Sequence, residues 1–366
     1  MRRDIVFHPH SRQTLQNHST MASRIAFAAS AALTIRSVLA QQPGNIPEEH
    51  PPLITYKCTT DGGCVAQDTS LVIDWGNHRL ETLNGSSCPV GKNSAVCFDN
   101  VSCNENCVVQ GFDYEAGGVF TDGDILTLQQ YIPTGNGTYN RASPRVYLLD
   151  PNGEDYSNVQ LTNQELSFDV ELSELPCGMN GALYLSEMAM SGGRSDLNPG
   201  ATYGGGYCDA QCFNTSSWFN GTVNNDALGA CCNEMDIWES NREATGFTHH
   251  PCSIESIYGC TGEDCTFDGV CDQWGCGFNP YALGEPKYYG PGPEFVIDTT
   301  KKFTVTTQFI TNDNTASGSL IDIKRFYRQE DRVIENAVAT ATSGYEGLDS
   351  ITDVSKIFEK PPTTTN

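Results

Sequence analysis

The sequence has few basic residues for its length. Its 366 residues include 21 Lys or Arg against 45 Asp or Glu, a formal net charge of −24. Nucleic-acid binding is not expected, because phosphates are bound by a basic surface. A solvated acidic surface that keeps the protein soluble explains the charge more simply. After residue 40, no stretch reaches the roughly 18 apolar residues of a membrane-spanning helix, so we expect no membrane partner either.

Long helical patterns, internal repeats and Pro/Ser/Thr-rich linkers are also missing. Apolar and polar residues instead alternate with a period of two, most clearly at 166–172 and 303–309 and around Val146. With 35 Gly and 18 Pro, the sequence favours an all-β fold, a sandwich of antiparallel sheets with long loops. The length fits two domains or one large all-β domain.

Sixteen cysteines are too many for a protein of the reducing cytosol. Their close spacings leave three or four intervening residues rather than the two of a zinc motif, and the adjacent Cys231 and Cys232 suit two crossing disulfides. We therefore predict a disulfide framework, with no metal and no cofactor. The cysteines form clusters at 58/64, 88/97/103/107, 208/212/231/232 and 252/260/265/271/276, and Cys177 is isolated.

The N-terminus is typical of a secreted protein. Residues 21–40 begin with Met21 and a basic residue, continue through an apolar run and end on a small residue, as a signal peptide does. We interpret the preceding residues 1–20 as a gene-model extension. We expect a secreted, extracellular glycoprotein that begins near Gln41. Five N-x-S/T sequons after residue 40 support this, at Asn84, Asn100, Asn136, Asn214 and Asn220.

Acidic residues are concentrated in the segment Cys231–Glu239. Glu234 and Asp236 alternate with apolar residues, which indicates a strand with its acids on one face. Glu239 would point away in a regular strand, so we predict a β-bulge that returns it to the acidic face. Three neighbouring acids repel each other, and at least one should keep a proton near neutral pH, as glycoside hydrolysis requires. On spacing alone, a solvated acidic strand or a calcium site remains an alternative.

The run Cys231–Asn241 (CCNEMDIWESN) resembles the catalytic strand of glycoside hydrolase family 7, the fungal retaining cellulases. The resemblance covers about residues 41–353. It implies a concanavalin-like β-jelly-roll sandwich of two antiparallel sheets, with disulfide-pinned loops and a long cleft for cellulose. We expect a monomer that acts on cellulose or another β-1,4-glucan. Further similar stretches lie at 50–75, 143–150, 166–188, 204–212 and 286–309.

The resemblance also implies roles for individual residues. Glu234 matches the nucleophile that forms a glycosyl-enzyme intermediate, and Glu239 matches the general acid/base. Asp236 matches the carboxylate that positions and tunes the nucleophile, and His250 a histidine near the product-side subsite. The polar residues that match the lining of the glucan cleft are Arg145, Asn180, Tyr184, Tyr207, Asp209 and Gln211.

Tryptophan is the rarest of the aromatic residues, with four in the chain. An aromatic ring can stack on the face of a sugar, but a tryptophan is more often part of a protein core. The sequence leaves both uses open for Trp75, Trp218, Trp238 and Trp274.

The family's cysteine order implies seven disulfides and leaves Cys177 and Cys276 over, because their partners in relatives lie further along the chain. The resemblance fades after Asp353. We interpret 41–353 as an incomplete catalytic domain and 354–366 as an aberrant tail, and we expect the chain as written to fold poorly or to be inactive. The implied pairs are 58–64, 88–107, 97–103, 208–232, 212–231, 252–271 and 260–265.

One loop distinguishes the branches of the family. The 18 residues 213–230 between Cys212 and Cys231 resemble the shorter loop of the open-cleft endoglucanases, as do Met179 and the run 321–336. We therefore predict a cellulase of the endo-β-1,4-glucanase type that cleaves internal bonds by double displacement. A cellobiohydrolase of the same family and a glucan-binding jelly roll without turnover are the alternatives.

Overall fold

The computed structural model describes residues 42–213, 216–340 and 346–352, together with the backbone of residues 2–6. The predicted signal peptide at 21–40 and the predicted aberrant tail at 354–366 lie wholly outside the described residues. Asn214, one of the five sequons, also lies outside them.

Strands dominate the described part of the chain. One α-helix, α1, covers Asn100–Asn106, and three short 3-10 turns cover Trp75–Asn77, Gly200–Tyr203 and Gly262–Cys265. Within the described residues, no helix has the length and apolar character needed to cross a membrane. The strands, in chain order, are β1 Arg2–Val6, β2 Gln42–Pro43, β3 Thr55–Thr59, β4 Gly63–Gln67, β5 Ser70–Ile73, β6 Leu80–Thr82, β7 Cys107–Val109, β8 Val119–Asp122, β9 Ile125–Gln129, β10 Tyr131–Pro133, β11 Tyr139–Arg141, β12 Val146–Leu149, β13 Gln164–Glu171, β14 Gly181–Ser186, β15 Trp218–Phe219, β16 Thr222–Val223, β17 Gly229–Cys231, β18 Glu234–Ser240, β19 Thr245–His250, β20 Tyr258–Cys260, β21 Cys276–Phe278, β22 Tyr289–Gly290, β23 Ile297–Asp298, β24 Phe303–Thr311, β25 Leu320–Gln329 and β26 Arg332–Glu335.

Two antiparallel sheets form the main sandwich. The larger has seven strands in the order β26-β25-β24-β13-β1-β9-β8, and the smaller has four in the order β14-β18-β19-β21. Apolar side chains from both sheets share one core, in which Phe168, Trp238 and Val305 are at most 2% exposed. Phe168 and Val305 belong to the alternating runs of β13 and β24. The all-β sandwich predicted from the period-two pattern is therefore confirmed.

The position between β9 and β13 in the seven-stranded sheet is filled by β1. The backbone of β1 pairs antiparallel on both sides, with Ile5 opposite Leu126 of β9 and Val170 of β13. Cleavage after residue 40 would remove this strand. It would leave β9 and β13 each with an unpaired edge in the middle of the sheet, which is unfavourable for a buried backbone.

All seven disulfides implied by the family's cysteine order are present. Cys177 is free and exposed, whereas Cys276 is free and buried, as the same order implies. The sulfur atoms of Cys212, Cys231 and Cys260 lie within 4.8 Å of one another. Each belongs to a disulfide, so none is available as a thiolate ligand for a metal.

Candidate active site

Strand β18 carries the predicted bulge. Between Asp236 and Glu239 this strand advances three residues, while β19 advances two, from Thr248 to Gly246. The pairing of β18 with β14 shows the same offset. One residue of β18 is therefore extra with respect to both neighbours, which confirms the β-bulge predicted from the spacing of the acids.

The bulge decides which side chains of β18 face the core. Ile237 and Trp238 are consecutive, yet both are buried between the two sheets. Because one extra residue reverses the alternation of a strand, Glu239 returns to the face that carries Glu234 and Asp236. There Glu234 and Glu239 both lie in the electrostatic field of Asp236.

His250 of β19 pairs with the central acid of this group. Its Nε2 is 3.1 Å from Oδ2 of Asp236, and its Nδ1 is 2.9 Å from the carbonyl oxygen of Asp272. A carbonyl oxygen and a carboxylate both accept, so both ring nitrogens donate. Although burial lowers the pKa of His250, the hydrogen bonds with Asp236 and Asp272 raise it to about 9. The imidazolium therefore offsets part of the charge of the acids at neutral pH.

Both glutamates of β18 bind protons more tightly than usual. Burial, reinforced by the charge of Asp236, raises the pKa of Glu234 to about 7. Burial and Asp236 also raise the pKa of Glu239. This fits the sequence-based expectation that at least one of three neighbouring acids keeps a proton near neutral pH.

The contacts of the two glutamates indicate where that proton lies. The backbone N–H of Ala210 donates to Oε2 of Glu234 at 3.1 Å, which favours a carboxylate there. Burial and the charge of Asp236 raise the pKa of Glu239, which favours a proton on this glutamate. We therefore assign the proton to Glu239, whose Oε1 accepts from Asn180 Nδ2 at 2.7 Å.

The other residues matched to the cleft extend from these acids as one connected group. Tyr184 of β14 lies close enough to Tyr207, and Tyr207 to Asp209, for each to affect the pKa of its neighbour. The guanidinium of Arg145 lies 3.6 Å from the centre of the Tyr207 ring. Gln211 is exposed, and its carbonyl oxygen accepts from Gln273 Nε2 at 3.3 Å.

Asp74 holds this group in place, although the sequence pattern did not predict a role for it. Its Oδ2 accepts from Arg145 Nη2 at 2.8 Å and from the hydroxyl of Tyr147 at 2.5 Å. Asp74 follows β5 and Arg145 precedes β12, and these two strands pair with each other. In the sequence, Asp74 stands out only as a single acid directly after an apolar strand. Its partner Arg145 lies 71 residues away, so the local pattern could not reveal the pair.

Comparisons with known proteins agree with this geometry. Residues 43–359 match the profile of Glycosyl hydrolase family 7. The chain belongs to this family. A probable endo-β-1,4-glucanase celB of Aspergillus clavatus is 54% identical over 317 residues, which cover 85% of this chain and 74% of that protein.

Solved structures of family 7 share the fold. An endoglucanase I complexed with cellobiose has 43% identity and a TM-score of 0.78, over 86% of this chain and 78% of that one. A family 7 cellobiohydrolase from Daphnia pulex has 34% identity and a TM-score of 0.77, over 86% and 77%. The jelly-roll sandwich implied by the sequence is confirmed, and so is the closer resemblance to the endoglucanase branch.

A buried arginine behind the acids of this family 7 chain was not predicted from the sequence. Arg325 of β25 lies in the core and is 2% exposed. Its Nη2 donates to the carbonyl oxygen of Ile237, inside the bulge, and its Nε donates to Thr307 Oγ1 at 3.0 Å. The guanidinium also lies 4.3 Å from the centre of the Phe247 ring. One side chain thus connects the seven-stranded sheet to the bulge that presents Glu239.

The sequence did contain a signal for Arg325. Ile323, Arg325 and Tyr327 are every second residue of β25, and all three are buried, whereas Lys324 and Phe326 between them are more exposed. A charged residue in the apolar phase of a strand is rarely buried without a specific partner. The partner here is a backbone carbonyl 88 residues away, which the pattern could not reveal.

The four tryptophans divide between the two uses that the sequence left open. Trp238 is part of the main core. Trp75 and Trp218 pack edge to face, with ring centroids 5.3 Å apart. Trp274 is different, because it is 75% exposed.

Proposed function

We propose that this chain is a secreted, monomeric endo-β-1,4-glucanase that hydrolyses internal bonds of cellulose with retention of anomeric configuration. The observation that carries the proposal is the bulge of β18, which gathers Glu234, Asp236 and Glu239 on one face beside a row of polar side chains. Its relatives named endo-β-1,4-glucanases support the substrate class and the endo mode of attack.

In the first step, the carboxylate of Glu234 attacks the anomeric carbon of the sugar on one side of the bond. Glu239 donates its proton to the glycosidic oxygen, so that the C–O bond breaks and the leaving glucan departs as an alcohol. The product is a glycosyl ester of Glu234. The raised pKa of Glu239 supports this role, because a general acid must hold its proton near the working pH.

In the second step, Glu239 is a carboxylate and removes a proton from a water molecule. The water oxygen attacks the anomeric carbon, the ester bond to Glu234 breaks, and Glu239 regains its proton. Two displacements at one carbon restore its original configuration. Asp236 accepts from His250 Nε2, and its charge adds to burial in raising the pKa of both Glu234 and Glu239. In this proposal it positions and tunes the nucleophile Glu234.

The remaining polar residues are proposed to bind the glucan. Asn180 reaches Glu239 directly, while Tyr184, Tyr207, Asp209 and Arg145 form a hydrogen-bonding surface that continues away from it. Sugar hydroxyls both donate and accept, so a surface that mixes phenols, a carboxylate and a guanidinium suits them. Gln211 and His250 border the opposite side of the acids, where loop 252–276 begins.

The test compares two substitutions of an acid by its amide. Glu234→Gln removes the nucleophile without changing its size. Glu243→Gln is the control, because Glu243 lies just after β18, is exposed and pairs with Arg242 at 3.1 Å. Release of reducing ends from amorphous cellulose should persist in wild type and Glu243→Gln and fall to background in Glu234→Gln. Equal background activity in all three proteins would favour a glucan-binding module without turnover.

The stereochemistry is tested separately. Proton NMR of the first products formed from a cello-oligosaccharide should show the β-anomer before mutarotation. Initial release of the α-anomer would contradict the double displacement and the role of Glu234 as nucleophile.

A further inference from the structure

Two exposed aromatic rings stack on each other in loop 252–276. The ring centroids of Phe267 and Trp274 are 4.7 Å apart, with 17° between the ring planes. Trp274 is 75% exposed and Phe267 is 59% exposed. Exposed aromatic area of this size has an unfavourable contact with water, and in a rigid loop it is typical of a binding surface.

The loop that carries the pair is rigidly attached to the fold. The disulfides Cys252–Cys271 and Cys260–Cys265 both close within it. Gln273 Nε2 also donates to the carbonyl oxygen of Cys265 at 2.9 Å, which joins the two arms of the loop. The two rings are therefore held by covalent and hydrogen bonds of the loop itself.

The residues on both sides of Trp274 contact His250 or Gln211, which lie beside the acids of β18. The carbonyl oxygen of Asp272 accepts from His250, and Gln273 donates to the carbonyl oxygen of Gln211. A Cβ on Gly275 would lie 2.5 Å from the His250 ring, so this glycine packs directly on it. With a span of at most about 3.6 Å per residue, Trp274 lies within one or two sugar lengths of His250.

The charge of the loop restricts what it can bind. Between residues 252 and 276 there are five acidic residues, Glu255, Glu263, Asp264, Asp268 and Asp272, and no Lys or Arg. An anionic polymer or a nucleic acid would be repelled. A neutral ligand with flat apolar faces is compatible with both the rings and the charge.

We propose that Phe267 and Trp274 form an aromatic platform that binds a pyranose ring of the β-1,4-glucan, on the His250 side of the acids. In a β-linked glucose unit all hydroxyls are equatorial, so both faces of the ring present C–H groups that pack on an aromatic ring. The choice of glucan as the ligand rests on the proposed function. The platform lets the enzyme hold a chain that extends past the bond to be cleaved.

Direct binding tests the platform without turnover. Calorimetric titration with cellohexaose uses Glu234→Gln as the background, so that the ligand is not consumed. Adding Trp274→Ala should raise the dissociation constant about tenfold, which corresponds to the loss of one good aromatic contact. Trp274→Phe should raise the dissociation constant about threefold or less. Val333→Ala, on β26, is the control because Val333 is 65% exposed and belongs to the other sheet. Unchanged affinity in Trp274→Ala would overturn the proposal.

Kinetics on the active enzyme separate binding from catalysis. With cellohexaose, Trp274→Ala should raise KM about tenfold and change kcat by less than about threefold, because the rings touch no reacting atom. A fall in kcat at constant KM would mean that the substitution disturbs His250 through Asp272, and would overturn the platform.

Failure of the platform and failure of the proposed function give different results. If wild type hydrolyses cellohexaose and Trp274→Ala behaves identically in both assays, the glucanase stands and the platform is wrong. If no protein hydrolyses it but Trp274→Ala still weakens binding, the platform stands and the catalytic proposal is wrong.

Discussion

The two sheets of the sandwich are held in place by different means. In the four-stranded sheet, the start of β18 is preceded by Cys231 and Cys232, each of which bridges to the segment 208–212, and the end of β19 is followed by the bridge Cys252–Cys271. No strand of the seven-stranded sheet contains a cysteine. That sheet instead combines strands from distant parts of the chain, with β1 between β9 and β13.

The two sheets therefore differ in what they contribute to the protein. The four-stranded sheet holds the acids, and its covalent bonds close short loops near them. The seven-stranded sheet supplies half of the core and the side chain of Arg325, but it depends on long-range pairing, whose loop-closure entropy must be repaid by contacts. Changes in the first sheet should therefore affect rate, and changes in the second should affect stability.

The largest effect is expected for the acid/base of the four-stranded sheet. Glu239→Gln removes the group that donates and accepts the proton, which should lower kcat on cellulose by about 10²–10⁴-fold. The melting temperature should change by no more than a few degrees, because the amide can keep the hydrogen bond from Asn180. Steady-state kinetics and calorimetry check both. Retention of more than a tenth of the rate would contradict the role of Glu239.

Removal of residues 1–40 should act on the other sheet. A chain of residues 41–366 lacks β1, and each backbone hydrogen bond lost with it costs about 1 kcal/mol. Urea denaturation should show a lower midpoint than for the full chain, with exposed apolar surface detected by dye binding.

A pair of substitutions inside the full chain controls for length. Ile5→Pro removes a backbone donor from a central strand, whereas Ile5→Val keeps it. Ile5→Pro should resemble the chain 41–366, and Ile5→Val should resemble the full chain. Equal stability of all four proteins would mean that β1 contributes nothing to the sheet.

Arg325 is the residue that links the two sheets, so its loss should affect both rate and stability. Arg325→Met leaves the buried carbonyl of Ile237 without its donor and loosens the bulge; we expect about a tenfold lower kcat with little change in KM. The alkaline limb of the pH–rate profile should also move, because burial and the nearby charge of Asp236 together raise the pKa of Glu239, and both depend on the bulge. Arg325→Lys should recover part of the loss.

Lys324→Met is the control for Arg325, because Lys324 is the preceding residue of β25 and its side chain is 45% exposed. It should leave the rate and the pH profile unchanged. An unshifted pH profile in Arg325→Met, with only a lower melting temperature, would reduce Arg325 to a structural residue of the core.

The smallest effect is expected from pH. The pKa of His250 is raised to about 9, so its contribution to stability is complete below its usual value of 6.5 and is lost as pH rises through 9. The pKa of Glu234 is raised to about 7, so the folded state prefers its protonated form and loses stability as pH rises from 4.5 through 7. Both groups therefore lower the stability of the folded state as the pH rises.

The melting temperature should therefore decline from pH 5 to pH 9. His250→Gln should flatten the part of the decline above pH 6.5, whereas Glu243→Gln should leave the curve unchanged. A melting temperature that rises over this range would contradict the raised pKa values of Glu234 and His250.

Much of the four-stranded sheet could be predicted because its information is local. The bulge followed from the spacing of Glu234, Asp236 and Glu239, since a period of two cannot place all three on one face. The disulfides required the family resemblance, because sixteen cysteines allow very many pairings. The catalytic and cleft-binding roles of the individual residues stay predictions until the substitutions are made.

The partners of buried charges could not be predicted. Asp74 and Arg325 each stand alone in their local sequence, and what they bind lies 71 and 88 residues away. A strand pattern specifies which side of a sheet a residue occupies, but not which distant atom will face it.

The sequence by itself determined an acidic, disulfide-rich sandwich of antiparallel strands with a bulged acidic strand at its chemical centre, because alternation, turn residues and the spacing of acids are properties of short segments. The tertiary structure alone decided that β1 lies between β9 and β13, that Arg325 reaches the bulge from the opposite sheet, and that Trp274 is exposed beside His250 while Trp238 is buried. These depend on contacts between remote segments, whose geometry is fixed only when the two sheets pack together.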